Sequence, residues 1–84
     1  MEREQCLGLG SPIVDTVIDG CTAIIQSGRD PHERLATAFD NRGVAYTRKE
    51  EYDRALQDYE QAIRLNPSNA TAYNNRGIIY RIKD

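Results

Sequence analysis

Apolar side chains at Ile13, Val14, Val17, Ile18, Cys21, Ile24 and Ile25 recur at helical spacing and so fall on one broad face. Ser11-Pro12 ahead of them offers a capping oxygen and a proline at the first helical position, where its missing N–H is no loss. Ser27-Gly28 closes the run, glycine being free to take a left-handed turn, and the spacing predicts a helix over residues 12–26. A second start follows at Asp30-Pro31-His32-Glu33, an aspartate cap with proline and then glutamate behind it, as in a capping box. Leu35, Phe39, Gly43 and Tyr46, with Ala36 and Ala38 beside them, place a narrow stripe of small and aromatic residues on a helix over 31–48. After the polar turn Lys49-Glu50-Glu51, a third helix carries Tyr52, Ala55, Leu56, Tyr59, Ala62 and Ile63 on one face, and Asn66-Pro67 stops it. Ser68 or Asn69 caps a fourth over 69–84, while residues 1–11, with Gly8 and Gly10 and no sustained period, read as an irregular arm.

The stretch over 36–50 returns thirty-four residues later over 70–84, with eight of its fifteen positions identical. A fixed period of this length marks stacked supersecondary units, none of which can bury its apolar face alone. Four helices, short connections and no strand signal together predict an all-α antiparallel helix-turn-helix array.

Residues 36–69 resemble one complete tetratricopeptide repeat. Small residues fall where that family has them, at Gly43, Ala55 and Ala62, large ones at Phe39, Tyr46 and Tyr59, and proline at Pro67. Residues 70–84 resemble the first helix of the next repeat through Tyr73, Gly77 and Tyr80, and residues 12–26 the second helix of a degenerate preceding one. The resemblance implies an α-solenoid over residues 12–84 and a non-catalytic scaffold whose first helices line a concave groove for a peptide or partner segment. Carried over by position, that groove is Thr37, Asp40, Asn41, Val44, Thr47 and Arg48, continued by Thr71, Asn74, Asn75, Ile78 and Arg81. Asn41 and Asn75 could each hold a peptide backbone by donating and accepting at once. The family's carboxylate clamp is not expected, because Asp40 stands where a lysine is wanted.

The usual leucine at the seventh repeat position is arginine in both copies, Arg42 and Arg76. Each is either a surface arginine with its head in water or one arm of a clamp between repeats, bonded to the recurring aspartates Asp19 and Asp58. Tyr73, Gly77, Ile78 and Tyr80 have no following helix to cover them in this sequence, which makes self-association as a homo-oligomer the alternative function. An accessory role in a larger enzyme is the third.

Composition narrows the partners. Eleven basic and thirteen acidic residues interleave to a net charge of −2, which leaves no basic stripe for nucleic acid. No apolar run approaches the roughly 18 residues of a membrane span. The single histidine, His32, sits at a helix start without a cysteine or serine partner, and no active site, metal or cofactor is expected. Cys6 and Cys21 are either two thiols, Cys21 buried, or a disulfide stapling the arm to the first helix. With the irregular first repeat they are similar to small exported repeat proteins of bacteria, which implies a periplasmic address.

Overall fold

The computed structural model describes residues 14–28 and 31–83; the expected irregular arm, the Ser11-Pro12 start, Ile13 and Asp30 lie outside them. Among the described residues four α-helices follow one another: α1 (Val14–Ser27), α2 (His32–Arg48), α3 (Tyr52–Leu65) and α4 (Ala70–Lys83). Each packs antiparallel on the next, α2 and α4 also touch directly, and no strand occurs among the described residues. The fold is an all-α, repeat-like helical array.

The helix ends follow local chemistry. Gly28 takes φ +65° just beyond α1, the left-handed turn that glycine adopts without penalty. Pro31 precedes α2 in an extended conformation, and no side chain among the described residues caps that end. The polar turn between α2 and α3 is closed through the backbone, with the Glu51 N–H donating to the Tyr46 carbonyl at 2.9 Å. Glu50 holds φ +61° there. Before α4, the Asn69 side-chain oxygen accepts from the Ala72 N–H at 3.1 Å, a helix-start bond worth about 1 kcal/mol.

Two apolar clusters hold the array together. Cys21, Ile24 and Ala38 join α1 to α2, with Val17, Ile25 and Leu35 packed against them. Ala55, Tyr59 and Ile79 join α3 to α4, with Val44, Tyr46, Tyr52 and Leu56 around them. The repeated small residues have a plain use here: at Gly43 an added Cβ would lie 2.6 Å from Cε1 of the buried Tyr59 ring. Glycine is the residue that lets α2 and α3 approach this closely. Its counterpart Gly77 meets nothing within 4 Å.

Candidate interaction surface

The residues on the inner stripe of α2 divide into those consumed by packing and those left available. Asp40, expected in the groove, is buried, and the Asn75 amide of α4 donates to its Oδ1 at 3.4 Å. Asp40 is thereby covered, because α4 crosses close to α2, while half-buried Asn75 keeps its side-chain oxygen and second N–H outside this bond. Thr47 turns its hydroxyl to the Gly43 carbonyl at 2.8 Å and lies 3.3 Å from the Tyr59 hydroxyl. Val44 is half-buried against the α3–α4 cluster. Thr37 is exposed but bonds back to the Glu33 carbonyl at 3.0 Å. What remains open is Arg48, Thr71, Asn74 and Arg81, all exposed, beside half-buried Asn41 and Ile78.

Burial raises the Asp40 carboxyl above its ordinary value of 3.8, and the Asn75 hydrogen bond only partly opposes this. Such a group contributes stability that is fully present below the unfolded pKa and is lost as the pH rises through the higher folded value. Asp40→Asn is accordingly expected to raise the urea midpoint relative to the parent at pH 7, with the difference shrinking as the pH falls toward 4. Parallel midpoints for the two chains across that range would show that Asp40 is not penalised by burial. Burial also raises the nearby Tyr59 hydroxyl, with the Asp40 and Asp58 carboxylates adding to the effect and the Thr47 hydrogen bond opposing it.

Arg42 is a bridge between three helices. Its Nε and Nη2 donate to the two oxygens of Asp58 on α3, each at 2.8 Å, and Nη1 donates to Thr22 Oγ1 on α1 at 3.1 Å. The Asp58 side chain is only 5% exposed. The hydrogen bonds that Arg42 donates to Asp58 raise the Arg42 pKa further, outweighing the effect of burial. The arginine stem lies between two rings of its own helix, its guanidinium carbon 5.6 Å from the Phe39 centroid and 5.8 Å from that of Tyr46.

This differs from a clamp between successive repeats. The carboxylate comes from the second helix of the same repeat, because α3 packs on α2 with Asp58 facing Arg42, and the link to the preceding unit is made by Thr22. Asp19 is exposed on α1, and Arg76 has no carboxylate within 4 Å among the described residues. Arg76 lies instead over Tyr73 and Tyr80, at 5.2 and 5.9 Å. Thr22 had no signal in the sequence beyond its place one turn from Asp19. Surface pairs of Lys49 with Asp15 and of Lys83 with Asp53 also cross between helices, and at such exposure solvent screens both. Of the expected self-association residues, Tyr73, Gly77 and Tyr80 are exposed along α4 and Ile78 is half-buried on another side. Cys21 is fully buried, whereas Cys6 lies outside the described residues.

Residues 43–81, which span α3 and most of α2's second half and α4, match the family model described as TPR repeat. Over these residues the chain carries a tetratricopeptide-repeat sequence. Among curated proteins it is similar to the tetratricopeptide repeat domain-containing protein PYG7, chloroplastic, of Arabidopsis thaliana, at 34% identity over 59 residues, 70% of this chain and 20% of that protein. It is also similar to serine/threonine-protein phosphatase 5 of Homo sapiens and of Rattus norvegicus, at 49% identity over 35 residues, 42% of this chain and 7% of each phosphatase. The chain thus spans about a fifth or less of the length of these relatives. No solved structure matches it significantly. Repeats of this family are protein-interaction modules, and no described helix is long and apolar enough to cross a membrane.

Proposed function

We propose that the chain binds a partner segment across the α2–α4 surface. The observation behind this reading is the Asp40–Asn75 contact, which draws the first helices of two successive repeats side by side. Along that seam Asn41, Asn74, Arg48 and Arg81 keep polar groups that no described contact consumes. Asn41 and Asn74 offer both a donor and an acceptor to an extended backbone, and the two arginines favour acidic side chains in the segment bound.

Selection of a displayed random-peptide library on the chain tests the proposal. Selected peptides are expected to carry Asp or Glu, and Asn41→Ala with Arg48→Ala is expected to weaken their binding at least tenfold. Gln57→Ala with Glu60→Ala on the exposed side of α3 should leave it unchanged. Peptides whose binding is lost with the α3 pair and kept with the α2 pair would overturn the groove reading.

A second reading, an accessory domain within an enzyme, draws support from the likeness to the two phosphatases. A catalytic domain elsewhere in the full gene product would favour it.

A further inference from the structure

Among the described residues Asp40 and Asp58 are the buried carboxylates, and the fold treats them differently. Asp58 accepts two guanidinium hydrogen bonds from Arg42, each at 2.8 Å. Asp40 has no cation within 4 Å among the described residues, and its side chain accepts only the Asn75 amide at 3.4 Å, the long end of a hydrogen bond. A carboxylate offers about four acceptor positions, so most of the capacity of this one is unused. Burial holds the group above its ordinary value, as it does for a charge without a counter-ion. A side chain that weakens the fold where it stands points to a role in binding rather than in folding.

Its position narrows that role. Asp40 lies halfway along the inner stripe of α2, and α4 touches α2 far less extensively than α3 does. The half-buried Asn75 over it is therefore one movable amide, not a packed layer. Arg48 and Arg81 are exposed, with no carboxylate within 4 Å among the described residues. Because α2 and α4 run parallel, both arginines stand toward the same end of the seam, Arg48 about 12 Å along the helix from Asp40. The seam is negative in its middle and positive at one end.

We propose that Asp40 pairs with a basic side chain of the bound segment, while Arg48 and Arg81 hold an acidic side chain of the same segment about four residues away. This rests on the α2–α4 binding surface proposed above and adds to it a charge pattern and a direction. An extended segment advances about 3.3 Å per residue, so about four residues cover the separation between the two charged places. The incoming cation supplies the counter-ion that Asp40 lacks, through charge-assisted hydrogen bonds. Asn75 turns aside to admit it, and the amide oxygen then joins Asp40 in accepting from its N–H groups.

The test runs the random-peptide selection in parallel on the full chain and on its Asp40→Asn variant, whose fold is checked by circular dichroism. The parent is expected to select peptides with Lys or Arg and, about four residues to one fixed side, Asp or Glu. Asp40→Asn should keep the acidic preference and lose the basic one. A selected peptide is then made with an acetylated N-terminus and a fluorescein label, so that only a side chain supplies the cation. Replacing its basic residue by norleucine should weaken binding to the parent at least tenfold by fluorescence anisotropy, and to Asp40→Asn less than twofold. Acidic peptides that depend on Arg48 but carry no basic preference would overturn this pairing and leave the binding surface standing. An equal loss with norleucine on both chains would do the same. Peptides lost with the α3 pair and kept with the α2 pair, or no selected peptide at all, would overturn the surface and the pairing together.

Discussion

Arg42→Ala is expected to destabilise the chain by about 3–5 kcal/mol in urea denaturation, the usual loss when one member of a buried ion pair is removed. The size of the effect comes less from the attraction lost than from what stays behind. Asp58 is 5% exposed and would keep its charge in the interior with neither guanidinium bond. Thr22 loses its donor from Arg42 in the same step, so α1 loosens along with α3. In a single small domain, whose total stability is of the order of 5–15 kcal/mol, this is a large share of the whole. Arg76→Ala, the same change at the equivalent repeat position, should stay within about 0.5 kcal/mol of the parent, because it strands no buried carboxylate. Removing both partners, Arg42→Ala with Asp58→Ala, should cost less than the two single changes added together. An Arg42→Ala chain within about 1 kcal/mol of the parent would mean that Asp58 finds water or another donor when the arginine is gone.

The two glycines of the repeat should respond to alanine with opposite signs. Overpacking a filled interior costs about 1–3 kcal/mol, and helix propensity returns about 1 kcal/mol when glycine becomes alanine. At Gly43 the new methyl would meet the Tyr59 ring at 2.6 Å, and that ring is 2% exposed with little room to retreat. Net destabilisation by up to about 2 kcal/mol is expected. At Gly77 nothing lies within 4 Å, so only the propensity gain remains and Gly77→Ala should raise the thermal midpoint. Equal shifts for the two variants would show that Tyr59 moves aside without cost.

Much of the architecture was legible because a thirty-four-residue period and helical spacing are properties of the chain itself. The ends of α1 to α4 fall within a few residues of those expected from Gly28, Pro31, Asn66-Pro67 and Asn69. The surface was less legible, because position within a repeat says which face a residue occupies and not what crosses over it. Asp40 shows the difference: it lies on the inner stripe as expected, but α4 covers it and Asn75 bonds to it. The choice of carboxylate for Arg42 was similarly hidden. Asp19 and Asp58 sit on helices of the same kind, and only the rotation of each about its axis decides which one faces the guanidinium. Thr22 joins that network through a single hydroxyl, for which no spacing rule exists.

The contact between Tyr59 and Gly43 also sets a clock. A phenol ring flips about its long axis only when its surroundings open, and here one edge of the ring lies against helix backbone with no side chain to swing away. The hydroxyl is placed near Thr47 of the same facing helix, so both ends of the ring are referenced to α2. Each half-turn of Tyr59 therefore records a moment at which α2 and α3 have separated, and its frequency counts the breathing of the repeat from within.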